Sequence, residues 1–388
     1  MKAAVGTKRL STPARAEAPR PFVSAPPDTL LFAAVASLVA IGLVMIFSAS
    51  SAQAYADHHD TAYYVKRQAV YLLVGLALAY VAYRIDYRKL KAFAPYALVL
   101  CVMALAAVLV PHVGVAVNGA RRWVGGGMVS LQPSEFAKLG LVVYLAAALA
   151  TRGDRITSLQ RGLFPLCVAT VIVAVAILME PDMGTASLIV FTAFAMFFAA
   201  GARVEHLAMI VIATAPPAIL AVLARPYQRA RVLAFIDPWK DPQNTGFHIV
   251  QSLLALGSGG FMGVGLGESR AKFFYLPEQY TDFIFSVLGE ELGVVGTVGV
   301  IVLFVVFVYR GIRVAIAAPD RFGFFLAIGC TAMVAIQAFV NIGVVTSSWP
   351  VTGVPLPFIS FGGSSLIVSL IAVALIMNVG RFRKVNLP

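Results

Sequence analysis

Three observations predict an all-α polytopic integral membrane protein. The 388 residues are 60% hydrophobic, only 12% are charged, and mean hydropathy is +0.87, whereas soluble domains carry roughly 25% charged residues. Apolar runs of spanning length recur about ten times along the chain. Basic residues alternate between dense and sparse from one connecting segment to the next, the signature of helices that cross a bilayer and return.

Residues 1–28 are rich in Pro, Ala and Arg without apolar periodicity and are expected to form a disordered tail. The first span covers 30–48. Ala52-Gln53-Ala54 follows it in the manner of a signal cleavage site, but the apolar run is longer than a signal core of roughly 7–15 residues, so an uncleaved helix is expected. Further spans are expected at about 69–84, 94–112, 135–150, 164–180, 184–200, 206–223, 283–309, 322–345 and 364–380. The membrane domain is thus 29–380, and 381–388 form a short C-terminal tail. Segments 1–28, 84–93, 151–163, 201–206, 310–321 and 381–388 together hold 19 Lys and Arg, against 4 in 50–67, 113–134 and 346–363. Both termini are therefore expected in the cytoplasm, with a large extracytoplasmic loop, 225–282, between spans seven and eight. The net charge of +12 follows this bias and carries no signature of nucleic-acid binding. Cys101, Cys167 and Cys330 fall in apolar runs without metal-ligand spacing, and the five histidines form no metal constellation.

The most informative stretch is Phe273 to Gly293. Of 18 acidic residues in the chain, Glu278, Asp282, Glu290 and Glu291 fall within these 21 positions. Thr281 or Asp282 could merely cap the helix expected from Phe283. Against that, Glu290 and Glu291 lie roughly 12 Å deeper along the same helix, and carboxylates descending into a membrane suggest a wet, functional cavity. Arg121 and Arg122 and, beyond Gln132-Pro133-Ser134-Glu135, Lys138 are basic on the expected outer side. Ser134 reads as an N-cap, and Glu135 with Lys138 forms either an i,i+3 ion pair or part of a site for an anion such as pyrophosphate. Glu180-Pro181-Asp182 fits a tight turn, for which Pro and Asp suffice. The glycines from Gly257 to Gly267 lie outside any βαβ unit, so a turn or re-entrant loop is expected rather than a nucleotide loop. Prolines, glycines and serines in 350–365 read as irregular backbone at membrane depth, which must be buried or line a cavity.

The strings YLPEQYTDFIFSVLGEELG, GFHIVQSLLALGSGGFMGVGLG, MEPDMGTA, LQPSEFAKL and PLPFISFGGSS resemble those of the SEDS family of peptidoglycan glycosyltransferases, across residues 29 to 380. Phe235-Ile236-Asp237-Pro238-Trp239, Gly267-Glu268-Ser269 and Ser48-Ala49-Ser50 resemble its division branch, FtsW, more than its elongation branch, RodA. One departure is Thr346-Ser347-Ser348-Trp349, where a Gly is expected after the Thr. The resemblance implies polymerisation of lipid II at the outer face of the bacterial cytoplasmic membrane, at the division septum, with Asp282 of the TDF motif catalytic. It also implies a class B penicillin-binding protein and other divisome proteins as partners. Arg122 and Lys138 are the expected cations for the leaving pyrophosphate. Glu135, Glu278, Glu290 and, within GFHIVQSLL, Gln251 and Ser252 complete the expected substrate-binding set. No cofactor is required by the sequence, and a Mg or Mn ion bridging Asp282 or Glu278 to pyrophosphate is compatible with it. A lipid II flippase and a non-catalytic divisome scaffold are the alternatives.

Overall fold

The computed structural model describes residues 26–382 apart from 118–119, 127–128, 225 and 274. Most of the expected tails, 1–25 and 383–388, lie outside the described residues. Among the described residues twelve α-helices follow in chain order: α1 Thr29–His58, α2 Tyr63–Arg84, α3 Tyr87–Leu109, α4 Pro133–Arg152, α5 Phe164–Met179, α6 Met183–Ala199, α7 Val204–Leu223, α8 Pro226–Ile236, α9 Phe247–Ser258, α10 Ile284–Ile316, α11 Arg321–Val345 and α12 Gly363–Arg381. Among the described residues eight helical segments are long and apolar enough to cross a bilayer: α1 to α4, α5 with the turn before it, and α10 to α12. Of the other two expected spans, α6 has 17 residues and α7 has 20, several of the α7 side chains lying outside the described residues.

Burial sorts these helices into a core and a rim. The faces of α12, α11 and α4 are mostly buried, whereas α2 and α3 expose long apolar stripes, as expected where lipid is the solvent. α11 is central and packs on α4, α6, α10 and α12, while α2 lies along α12 and α3 along α4. Helix α1 runs ten residues past the expected span, with Ala49 and Ala54 wholly buried. Asp28, assigned to the tail from sequence, caps α1 through Leu31 N at 3.0 Å and accepts from Arg310 Nε of α10 at 3.0 Å.

Two features depart from the sequence reading. Residues 113–134, expected to be a plain loop, contain the antiparallel sheet β1 (Gly114–Val117), β2 (Ala120–Gly126) and β3 (Val129–Leu131), in that order. The register runs Val115 to Trp123 and then Ala116 to Arg121, leaving Arg122 as the extra residue of a bulge, a device that re-aims a side chain. In α4 the N-cap is Gln132 with Pro133 in the first turn; Ser134, expected to cap, is fully buried one position further in.

Helix α10 breaks at Gly293 (φ 64°, ψ −161°). The glycine-rich run after α9 fills the break: Val264 N and Gly265 N donate to the carbonyls of Glu290 and Glu291 at 3.0 and 3.1 Å, and Val294 N donates to Gly260 O at 3.0 Å. A Cβ at Gly263 would come within 2.1 Å of Glu291 O, and one at Gly293 within 2.4 Å of Gly263 N. The glycines thus serve a backbone-to-backbone docking, which answers the turn or re-entrant loop expected there.

Helix α11 ends as helices often do, with a left-handed residue after its cap. That residue is Ser347 (φ 55°), followed by Ser348 N and Trp349 N donating to Gly343 O. A glycine is the residue that best tolerates this geometry, which explains why its absence stood out in the sequence. Ser347→Gly is expected to stabilise the fold by about 0.5–1 kcal/mol, read as a higher unfolding temperature in detergent with an unchanged reaction rate.

Candidate active site

Asp282 lies in the loop just ahead of α10, whose N-cap is Phe283 with no side-chain capping bond. Its carboxylate is therefore not a helix cap. Three successive carbonyls before α10 are held instead. Tyr280 O accepts from Phe361 N at 2.9 Å, Thr281 O from Ser360 Oγ at 2.5 Å, and Asp282 O from Asn341 Nδ2 of α11 at 2.7 Å. Asn341 Nδ2 also reaches Val354 O at 2.8 Å, tying the 350–361 segment to the same point. The polar residue inside an apolar helix thus fixes the backbone from which the Asp282 side chain projects. Its Oδ2 faces Gly353, where an added Cβ would sit 3.5 Å away.

The half-buried Asp282 carboxyl is pushed up to about 7. Burial is the main cause; the negative charge of Glu278 adds to it and that of Asp182 adds less, while Arg231 and Arg122 oppose. Glu278 is exposed, adopts a left-handed backbone (φ 54°), and accepts from Thr281 Oγ1 at 2.8 Å. Arg122, turned by the β2 bulge, donates from Nε to Glu180 O at 2.8 Å and from Nη2 to Pro181 O. It is thereby fixed at the turn between α5 and α6. Asp182 caps α6, accepting from Thr185 N at 3.0 Å, and also accepts from Gln132 Nε2 at 3.2 Å. The side chain of Glu180 is fully buried in that turn, and its carboxyl is pushed up to about 8 by burial and then by Asp182, with Arg122 opposing.

Arg231 of α8 donates to Val351 O at 3.2 Å and bears electrostatically on both Asp282 and His248. His248 of α9, stacked on Phe283 with ring centroids 5.8 Å apart, is held below the usual imidazole range by burial and by Arg231, with Glu278 opposing. One carboxyl able to exchange a proton near neutral pH therefore sits among two fixed arginines, an exposed glutamate and a capping aspartate.

Several residues expected from sequence are placed elsewhere. Lys138 is buried, 2.9 Å from both oxygens of buried Glu135 and 2.6 Å from Gln337 Oε1 of α11. Gln337 Nε2 passes the connection to Pro355 O at 2.9 Å and Ser365 Oγ at 3.0 Å. The i,i+3 ion pair is present, but the pair faces the core and braces the 350–361 segment instead of presenting a cation to a ligand. Glu290, also expected to meet substrate, accepts from Ser269 Oγ, from Arg270 N at 3.0 Å and from Ala271 N at 3.2 Å. Its carboxylate is consumed in holding the loop. Glu291, 100° around the helix, turns the other way and accepts from Ser48 Oγ of α1 at 2.5 Å. Ser252 is fully buried between Ser286 Oγ and Val345 O, both at 2.7 Å, which leaves it nothing to offer a substrate; Gln251 beside it is partly exposed. Asp182 was read from sequence only as part of a tight turn, and Arg231, Asn341 and Gln337 were not singled out. Asn341 and Gln337 carry a legible signal, since they are polar residues four apart within an apolar span. Among the described residues no group of three His, Cys, Asp or Glu side chains converges to hold a metal ion.

A family model described as cell cycle protein, of the FtsW, RodA and SpoVE type, matches residues 28–385. Stage V sporulation protein E of Bacillus subtilis (strain 168) is 42% identical, covering 92% of this chain and 98% of its own. A probable peptidoglycan glycosyltransferase FtsW of Geobacter metallireducens is 44% identical, with 91% and 94% covered. Among solved structures, a chain from work on how a peptidoglycan synthase complex coordinates polymerization and crosslinking superposes with a TM-score of 0.75 at 34% identity, covering 93% of this chain and 99% of the other. The rod shape determining protein RodA of Thermus thermophilus gives 0.68 at 32% identity, covering 92% and 97%. Matched along nearly its whole length, and 42% and 44% identical to those two relatives, the chain belongs to the FtsW/RodA/SpoVE family of cell cycle proteins.

Proposed function

We propose that this protein is a peptidoglycan glycosyltransferase that polymerises lipid II, with Asp282 as the general base. The observation that carries the reading is the setting of Asp282: a carboxyl held near neutral pKa, on a clamped backbone, beside two anchored arginines. Joining the 4-hydroxyl of one sugar to the anomeric carbon of an α-linked pyrophosphate donor gives a β link by a single inverting displacement. The acceptor O–H bond breaks as the new C–O bond forms, and the proton passes to Asp282. A base with pKa near the working pH suits that transfer. The anomeric C–O bond breaks toward the pyrophosphate, whose growing charge is met by Arg122 and Arg231. Lys138 and Glu135 act at one remove, by holding Gln337 and the 350–361 segment. Burial keeps the Asp282 pKa high, and Glu278, exposed one turn away, adds to it.

The domain plan that goes with this reading is a membrane domain at 29–380 with ten crossings, α6 and α7 supplying the two beyond the eight strongest. Both termini lie in the cytoplasm, and the 225–282 loop lies outside with Asp282 at its end. The basic residues of the inner segments support that orientation. A class B penicillin-binding protein, other divisome proteins and a septal location follow from the likeness to the division branch.

The test is a gel assay with labelled lipid II, using purified full-length protein and its cognate transpeptidase in liposomes from pH 5.5 to 8.5. Polymer yield per unit time is expected to rise about tenfold per pH unit below 7 and to level off above it, since only ionised Asp282 can accept the proton. No polymer at any pH from a folded complex, together with passage of lipid II across the bilayer, would replace this reading with transport.

A further inference from the structure

At the far end of α11 from Asp282 a cavity of about 270 Å³ opens between three helices. Arg88 and Lys91 come from the start of α3, Ala150 from the end of α4, and Asp320, Arg321 and Phe322 from the start of α11. The one carboxylate present is already engaged: Asp320 Oδ1 accepts from Gly323 N at 2.8 Å, and its Oδ2 from Tyr87 Oη and from Arg88 Nε at 3.3 Å. Lys91 and Arg321 are exposed, and among the described residues no carboxylate pairs with either. Among the described residues that line the cavity, three cations thus accompany one engaged carboxylate. Beside it, α3 continues into exposed apolar residues, Ala92, Pro95, Val99 and Ala106, which lie in line with Arg88 and Lys91 at helical spacings of four and seven residues.

We infer that this cavity binds the phosphate headgroup of an anionic phospholipid, whose acyl chains lie along the exposed stripe of α3. Charge complementarity selects an anion, and continuity with a lipid-facing stripe selects one that carries chains. Basic pockets between transmembrane helices hold headgroups in this way. The inference does not depend on the glycosyltransferase reading, because the cavity lies some 30 Å along α11 from Asn341.

The probe is dioleoyl-phosphatidylglycerol added to delipidated full-length protein in detergent, with bound lipid counted by native mass spectrometry. Dioleoyl-phosphatidylcholine and inorganic phosphate serve as comparison ligands. Wild type is expected to bind phosphatidylglycerol in preference to phosphatidylcholine. The double variant Lys91→Gln, Arg321→Gln is expected to bind it about 30-fold more weakly. Lys89→Gln, an exposed lysine of α3 outside the cavity, is expected to bind as wild type, and equal unfolding temperatures of all three proteins show that the fold is kept. Equal phosphatidylglycerol binding by wild type and the double variant would overturn the inference. So would displacement of the lipid by inorganic phosphate at matched concentration, which would make this a site for soluble anions.

Discussion

Asp282→Asn is expected to lower the rate of polymer formation by about 10²–10⁴-fold, the usual contribution of a general base, while the protein unfolds at the same or a higher temperature. The two halves of that result have one cause. A carboxyl pushed up to about 7 by burial and by Glu278 holds its proton more tightly in the folded state than in the unfolded chain. Ionising it therefore works against the fold as pH rises from about 4 toward 7. At pH 8 the wild type bears that cost in full, on the order of 1–3 kcal/mol once partial solvent access is allowed for. Asparagine has nearly the same shape and no charge, so the variant escapes the cost and loses the base. Rates from the lipid II gel and unfolding temperatures at pH 5.5 and pH 8 measure both halves. A variant that polymerises normally would move the chemistry to another residue, with Glu278 the nearest carboxylate.

The second large effect concerns Lys138. Removing one partner of a buried ion pair leaves the other charge unpaired, at a cost of about 3–5 kcal/mol. Lys138→Met strands Glu135 in the core and frees Gln337 from its 2.6 Å bond, so a large drop in unfolding temperature is expected. Adding Glu135→Gln to Lys138→Met removes the stranded charge and is expected to restore most of the stability. If Lys138 instead met the pyrophosphate directly, the single variant would stay stable and turn over slowly, and the double variant would be no better.

What the sequence disclosed depended on the range of the forces involved. Spans are written in local hydrophobicity, and the eight strong ones lie close to where composition puts them, with edges moved by several residues. The Glu135–Lys138 pair is likewise local, three residues apart on one helix. The sheet escaped because its strands have four, seven and three residues, too short for a clear alternation, although Asn118-Gly119 is a strong hairpin signal. The position of Arg122 depends on a bulge, which spacing along the chain does not reveal. Glu290 was misplaced for a geometric reason: a file of acids along one helix looked like a ladder facing one cavity. Consecutive residues diverge by 100°, so Glu290 and Glu291 serve two different neighbours. Asp282 was legible as a position, but not the way its backbone is held, since Asn341, Ser360 and Phe361 are contributed from 59 to 81 residues away.

Helix α11 is 25 residues long without a break, about 37 Å of rigid rod. Its lower end is pinned to α3 through Asp320, Tyr87 and Arg88, and its upper end carries Asn341, which grips Asp282. Mechanically this is a lever that holds the backbone of Asp282 near its tip. Tilting it by about 5° about its midpoint would carry Asn341 about 1 Å, and a misplacement of about 1 Å can cost 10²-fold in rate. The angle of one rod therefore acts as a throttle on the site, and whatever grips its base on the opposite face holds the handle.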